Sequence, residues 1–145
     1  MLRIGIGDFE ALSAHGEAAY PQECCGVLLG IAEGETRRVA AVVKAANART
    51  DSPANRYGIA PEELVRIQRE ARERELDIVG FYHSHPDCAA QWSATDLAEA
   101  HWLGCSYVIT SVVDGQAVET RAFALTGMDE ATKRFEDEGV EVADK

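Results

Sequence analysis

The sequence has 145 residues, 46% of them hydrophobic, and 25 acidic against 14 basic side chains give it a formal charge of −11. A chain of this length can bury enough surface to form one domain without disulfides or a structural metal. The acidic charge argues against nucleic acid and anionic membranes as partners, because both are bound mainly through Lys and Arg.

The sequence also gives no indication of a membrane or secretory protein. The longest stretch without charged side chains, residues 100–113, is shorter than the ~20 apolar residues that a membrane helix needs. The first residues lack the apolar core and cleavage site of a secretory signal. We therefore expect a cytoplasmic location, with Cys24, Cys25, Cys88 and Cys105 reduced.

The first third of the chain predicts a strand, a helix and a hairpin. Residues 2–6 are typical of a short strand, and the apolar spacing over residues 8–20 predicts a helix that Pro21 ends. Two further strands, 25–31 and 36–45, are close enough in sequence to form a hairpin.

A polar segment and a second helix follow. Residues 47–60 are polar and contain Pro53, which favours a binding loop with a short strand at 56–59. Pro61 and the two glutamates after it predict a helix that runs to residue 76 and has a solvated face of Arg and Glu.

The remaining pattern predicts a buried strand at 77–82, followed by a helix, two strands and a helical segment at 94–103, 106–113, 117–125 and 129–136. The irregular alternation of strands and helices predicts an α/β fold, with a mixed β-sheet flanked by helices. We expect a single domain over residues 1–145. Residues 129–145 form an acidic C-terminal tail whose order the sequence does not determine.

The stretch from His83 to Asp96 contains the residues best suited to chemistry. In an extended strand, side chains two apart point to the same face, so His83 and His85 point together while Ser84 points away. Zinc binds neutral His nitrogens and carboxylate oxygens, and a catalytic zinc keeps three protein ligands and one open position. Asp96 would complete such a ligand set.

Each of these features, taken alone, has a simpler explanation. A His-x-His pair is more often two unrelated residues at the end of a strand. Ser93 and Asp96, three residues apart, favour a helix capping box. Glu23 is typical of a solvated turn residue after Pro21, and no spacing connects it to His83.

Together, however, these residues match a known pattern. The chain resembles the JAMM metalloproteases, also called the MPN+ family, and in particular their small stand-alone bacterial members. The family pattern is an upstream Glu, then His-x-His-Pro, six residues, Ser, two residues and Asp. This sequence supplies it with Glu23, His83, Ser84, His85, Pro86, Ser93 and Asp96.

The resemblance covers most of residues 1–125, including the segments PQECCGVLLG and NARTDSPANRYGIAPEEL. There is one departure. Many bacterial members have Pro immediately before the motif Ser, where this chain has Trp92. We expect Trp92 to act as a structural lid rather than as a contact for substrate.

The resemblance implies a JAMM/MPN-like α/β/α fold and one Zn²⁺ ion held by His83, His85 and Asp96. It also implies that Glu23 transfers a proton from water to the leaving amine, and that Ser93 donates a hydrogen bond to the oxyanion.

The substrate that the resemblance implies is a small ubiquitin-fold sulfur-carrier protein, or its amino-acid adduct, cleaved after the C-terminal Gly-Gly. Such a thin tail could add to a sheet edge near residues 56–59.

Other functions explain less of the sequence. Zinc nucleobase deaminases use H-x-E and then P-C-x-x-C; residues 15–17 match the first half, and the second half is absent. A Cys-His hydrolase built on Cys88 leaves the paired histidines and Asp96 unexplained. A metal-free MPN-type scaffold, or a zinc peptidase with an unrelated substrate, remains an alternative.

Overall fold

The computed structural model describes residues 1–48 and 57–144. The described residues form eight strands and three helices. In chain order these are β1 Leu2–Gly5, α1 Ile6–Ala19, β2 Cys25–Glu33, β3 Thr36–Ala45, α2 Pro61–Glu73, β4 Asp77–Pro86, α3 Ala94–Glu99, β5 Ser106–Val113, β6 Gln116–Thr126, β7 Arg134–Glu138 and β8 Val140–Ala143.

The strands form one mixed sheet in the order β7-β6-β5-β4-β2-β3-β1-β8. Strand β4 is parallel to β5, and β1 is parallel to β3 and β8; the other neighbours are antiparallel. The sheet is curled, because only Gly139 separates β7 from β8, which lie at opposite edges. Arg37 of β3 accordingly reaches Glu138 of β7 at 2.6 Å.

Helices cover both faces of this sheet. Helix α1 buries Leu12 in a cluster with Leu28 and Tyr82, whereas α2 buries Ile67 and Ala71 in a second cluster. Each fully buried aliphatic side chain of this size contributes about 1.5–3 kcal/mol. The predicted α/β fold, a single-domain mixed sheet flanked by helices, is confirmed. Among the described residues no helix is both long and apolar enough to cross a membrane.

The helix predicted at 129–136 is wrong. Asp129 and Thr132 form a turn closed by a backbone hydrogen bond of 3.2 Å, and strand β7 follows it. Aromatic packing favours the strand over a helix, because Phe135 contacts Tyr107 and Phe123 at ring-centroid distances of 5.4 and 6.1 Å. Much of the acidic C-terminal segment therefore forms the two edge strands β7 and β8.

Two further predictions need correction. The helix predicted at 94–103 ends at Glu99, because Ala100 adopts an extended backbone and Trp102 packs against Phe81 instead. The predicted strand at 56–59 is wrong over its described residues 57–59, which form no strand. Gly58 instead accepts a hydrogen bond of 2.7 Å from the amide of Ala48. Residue 56 and Pro53 lie outside the described residues.

Candidate metal centre and active site

Strand β4 places the two motif histidines side by side. His83 and His85 are only 2% and 8% exposed, and their Nε2 atoms lie 3.2 Å apart. Ser84 points to the other face, where its Oγ accepts a hydrogen bond of 2.8 Å from the amide of Cys24. The alternation predicted from the strand pattern therefore holds.

Asp96 reaches the histidines from the first turn of α3. Ser93 is the N-cap of this helix: its Oγ accepts from the amide of Asp96 at 3.0 Å, and its own amide donates to Asp96 Oδ2 at 2.9 Å. The same carboxylate lies 3.3 Å from His83 Nε2 through Oδ1, and 3.1 Å from His85 Nε2 through Oδ2. A carboxylate has about four lone-pair sites, so capping and clustering with the histidines coexist.

The three side chains fit a metal ion. Their ligand atoms all lie within 4.8 Å of one another, and the separations of 3.1–3.3 Å approach the about 3.3–3.4 Å expected for tetrahedral zinc with bonds of ~2.0–2.1 Å. His85 Nδ1 pairs with the carbonyl of Ala89 at 3.0 Å. Because only an N–H can pair with a carbonyl, Nδ1 carries the proton of the neutral ring, and Nε2 is the nitrogen that a metal ion would bind in place of the proton shared with Asp96.

The protonation states of the cluster follow from burial and from Asp96. Burial lowers the pKa of His83, which favours the neutral imidazole that a metal requires. Burial acts to raise the pKa of Asp96, but hydrogen bonds from both histidines hold that pKa well below its usual range. Burial acts to lower the pKa of His85. The hydrogen bond with Asp96 and the negative charge of Asp96 outweigh this effect, so the pKa of His85 is raised.

Glu23 lies beside this cluster because β2 pairs with β4. Cys25 is opposite His83 in the antiparallel ladder, so the sixty residues between Glu23 and the motif are bridged by one strand pair. Glu23 is 5% exposed, and its Oε1 has no hydrogen-bond partner among the described residues. Burial raises the pKa of Glu23 to about 8.

A cavity of about 320 Å³ joins the sites predicted for catalysis. It is lined by Glu23, His85, Pro86, Cys88, Ala89, Gln91 and Ser93. The structure therefore brings all five predicted site residues together. Glu23 and Ser93 line the cavity, His83 and Asp96 belong to the metal cluster, and His85 does both. Cys88 is exposed, whereas Cys24 and Cys25 are buried.

The sequence did not reveal the contact that Tyr57 makes. Its ring stacks on His83 at a centroid distance of 4.4 Å and an interplanar angle of 21°. Within residues 1–48 and 57–144, His83 Nδ1 is buried without a hydrogen-bond partner, so ring stacking takes the place of the hydrogen bond that commonly orients a metal-binding histidine. The only signal for Tyr57 was one aromatic residue in a polar loop.

The sequence matches the model of a known family, described as prokaryotic homologs of the JAB domain, over residues 7–126. The chain belongs to this family. The JAB match includes the histidine pair, Asp96, Glu23 and Ser93, and it ends at the last residue of β6. Strands β7 and β8 lie outside it.

Characterised relatives of this JAB chain include peptidases. A desampylase from Haloferax volcanii is 41% identical over 91 residues, which are 63% of this chain and 63% of the desampylase. The chain thus spans less than two thirds of that relative. The CysO-cysteine peptidase of Mycobacterium tuberculosis is 29% identical over 115 residues, which are 79% of this chain and 76% of the peptidase.

Solved structures resemble the JAB chain over nearly its whole length. A protein from Salinibacter ruber has a TM-score of 0.74 and 39% identity, covering 99% of this chain and 92% of that one. A JAB1/MPN domain protein from Archaeoglobus fulgidus has a TM-score of 0.56 at 13% identity, covering 98% and 97%. The second likeness shows the fold alone.

Proposed function

We propose that this chain is a zinc-dependent peptidase that cleaves after the C-terminal Gly-Gly of a small ubiquitin-fold sulfur-carrier protein or its amino-acid adduct. The observation that carries the proposal is the convergence of His83, His85 and Asp96 beside the buried carboxyl of Glu23. A scaffold without metal would gain nothing from a buried Glu23 oxygen that bonds to no other group.

His83, His85 and Asp96 would hold the ion through two imidazole nitrogens and one carboxylate oxygen, a donor set that suits catalytic zinc. Bound zinc supplies Lewis acidity, which acidifies water in the site and polarises the scissile carbonyl. The hydrogen bond from His85 to Ala89 and the stacking of Tyr57 on His83 hold both rings in place.

Glu23 is suited to move a proton between the attacking water and the leaving amine. Its carboxyl lines the cavity beside His85. Burial raises the pKa of Glu23 to about 8 in the metal-free protein, and a nearby cation would lower that pKa towards neutral pH, where a group both accepts and donates protons. The orphaned Oε1 is free to accept the proton of a water molecule.

Ser93 is suited to stabilise the oxyanion that forms as the carbonyl becomes tetrahedral. Its Oγ already accepts from the amide of Asp96. This hydrogen bond occupies one lone pair of the hydroxyl and does not use the hydroxyl hydrogen. The O–H therefore remains available to donate into the cavity that Ser93 lines. Capping the helix and stabilising the oxyanion are compatible roles.

The substrate class is supported by the relatives and by the cavity. The two similar peptidases are named a desampylase and a CysO-cysteine peptidase, and these names suggest small protein modifiers as the substrates of this chain. The cavity beside His85 is bordered by Pro86, Cys88 and Ala89. A tail whose last two residues have no side chains would need little room beside these residues.

We also propose that the chain works in a reducing compartment such as the cytoplasm. Its four cysteines are all free thiols, and three of them, Cys24, Cys25 and Cys105, are buried. Free thiols are usual in cytoplasmic proteins and unusual in secreted ones.

The test is to incubate zinc-loaded protein with a small ubiquitin-fold carrier extended beyond Gly-Gly and to follow product mass. We expect one cut, directly after Gly-Gly, and none in the same carrier with Ala-Ala at those positions. Glu23→Gln protein provides the control for contaminating proteases. No cleavage by metal-loaded protein would contradict the substrate class, and equal cleavage by Glu23→Gln would contradict the catalytic assignment.

A further inference from the structure

Helix α3 and its N-cap carry two of the proposed site residues, Asp96 and Ser93, but the helix is a weak element by itself. It has six residues, Ala94–Glu99, and none of them is fully buried. A helix this short is unstable without tertiary contacts. The position of Asp96 in the metal cluster therefore depends on what holds the two ends of α3.

Lys133 holds the C-terminal end of α3. Its ammonium group donates to the carbonyls of Ala98 at 3.2 Å and Ala100 at 2.8 Å. It also pairs with Glu130 at 2.6 Å, and the Lys133 side chain is only 8% exposed. The three hydrogens of the ammonium thus have three acceptors, and a cation at this end also complements the helix dipole.

Phe135 holds the chain just before α3. Its ring packs against Trp92 at a centroid distance of 5.5 Å, and Trp92 directly precedes Ser93, the N-cap of the helix. On its other sides Phe135 contacts Tyr107 and Phe123 of the sheet. Trp92 therefore contacts the sheet through Phe135.

Lys133 lies directly before β7 and Phe135 lies within it, and β7 pairs with β6 from Thr126 opposite Arg134 onwards. Both residues lie after residue 126, where the family match ends. One rigid edge of the sheet thus contacts α3 at both ends, although it contributes no ligand and no residue lining the catalytic cavity.

We infer that Lys133 and Phe135 are positioning residues that fix Asp96 and Ser93 at the metal centre. This inference rests on the proposed function, because Asp96 is a proposed zinc ligand. Loosening α3 would leave His83 and His85 in place on β4 but make the third ligand mobile. Supporting residues of this kind typically change metal affinity by 10–100-fold.

The test compares Lys133→Met with Arg134→Met, which removes the same charge from the next residue, where the side chain faces solvent. We expect Lys133→Met to bind zinc about 10-fold more weakly in competition with a chelator, and to lower kcat with little change in KM. Arg134→Met should match the wild type. Lys133→Arg should recover most of the affinity, because its guanidinium can donate to the same carbonyls.

Amide hydrogen exchange of the metal-free protein separates failure of this inference from failure of the zinc proposal. The amides of Leu97 and Ala100, bonded within α3, should exchange faster in Lys133→Met but not in Arg134→Met. Unchanged exchange together with zinc affinity within twofold of the wild type would overturn the inference. A wild-type chain that binds no zinc would instead overturn the proposed function, and exchange alone would then decide whether Lys133 holds α3.

Phe135→Leu provides a second variant in case Lys133→Met does not fold. It keeps an apolar side chain in the core but loses the ring contact with Trp92. We expect the same direction of change in zinc affinity and in Leu97 exchange. Wild-type values for both in folded Phe135→Leu would show that Phe135 only fills the core.

Discussion

The site contains two carboxyl groups and one imidazole, those of Asp96, Glu23 and His83, whose surroundings shift their pKa values in different directions. Asp96 is held ionised by the hydrogen bonds it receives, His83 is held neutral by burial, and Glu23 is buried with a raised pKa. Titratable groups whose surroundings separate their pKa values are typical of acid–base catalysis. The oxygen of Glu23 that lacks a hydrogen bond lowers the stability of the fold, and the proposed reaction gives that oxygen a function.

The first prediction concerns Glu23 and the stability of the metal-free protein. Because the pKa of Glu23 is raised from 4.5 to about 8, the stabilisation by its neutral form is fully present below pH 4.5 and is lost as the pH rises to about 8. Relative to the wild type, Glu23→Gln should therefore gain about 3 kcal/mol in unfolding free energy between pH 5 and pH 8.

Urea unfolding at the two pH values measures this gain. Glu10→Gln provides a matched control, because it makes the same change at an exposed position of helix α1. A gain for Glu23→Gln no larger than that of the control would mean that the Glu23 carboxyl is ionised in the folded protein at pH 8 without cost.

The second prediction concerns the two roles of Ser93. Ser93→Ala should lower the unfolding free energy by about 1 kcal/mol through loss of the cap, and lower kcat by roughly 10²–10³ through loss of an oxyanion donor. Ser93→Thr keeps the hydroxyl and should retain most of both. A fall in kcat of less than tenfold in Ser93→Ala, with the stability loss observed, would leave Ser93 with the capping role only.

At the scale of elements, the position of the histidine pair depends on how closely β4 approaches β5. Gly80 begins this parallel pairing opposite Ser106. A Cβ added at Gly80 would lie 2.5 Å from the backbone oxygen of Ser106, and a backbone atom in the middle of a sheet cannot move aside without shifting a strand. Three residues later the same strand carries His83.

The third prediction follows from that contact. Gly80→Ala should destabilise the protein by about 1–3 kcal/mol through overpacking and should weaken zinc binding, because β4 must shift. Gly7→Ala is the matched control: no atom lies within 4 Å of its added Cβ, and Ala at this helical site should stabilise by about 0.5–1 kcal/mol. Equal melting temperatures for the two variants would contradict the close approach of β4 and β5.

The elements that the sequence predicted well are those with one dominant local pattern. The hairpin of β2 and β3 and the buried strand before His83 have apolar runs that few other structures accommodate. The C-terminal segment at 129–136, by contrast, was predicted to be helical and is a turn followed by strand β7. Its strand is set by the burial of Phe135 against distant aromatic residues, a tertiary contact that a local pattern does not contain.

The candidate site divides in the same way. The side-by-side placement of His83 and His85 was predictable from the strand period, whereas Asp96 as their partner came from the family resemblance, because its spacing alone favoured a helix cap. The position of Glu23 beside them was supplied only by family resemblance, since it depends on the pairing of β2 with β4. The stacking of Tyr57 on His83 and the hold of Lys133 on α3 are non-local and could not be predicted.

At the scale of the whole molecule, the curled sheet brings its two edges close together while leaving the site at the C-terminal end of β4. Glu138, at the end of β7, is 4% exposed and binds Arg37 of β3 at 2.6 Å and Ser106 of β5 at 2.6 Å. This network lies at the end of the sheet away from the histidines. The last two strands therefore close the sheet at one end, while β7 also supports α3.

The central claim is that one zinc ion is held by His83, His85 and Asp96 and that Glu23 acts on water beside it. The most direct test is the zinc content per chain, measured by elemental mass spectrometry alongside turnover. We predict one zinc in the wild type, in Glu23→Gln and in His15→Ala, whose altered histidine bonds to Tyr82 outside the cluster. We predict little or none in His83→Ala, and loss of turnover in both His83→Ala and Glu23→Gln. Full zinc occupancy in His83→Ala would contradict the account.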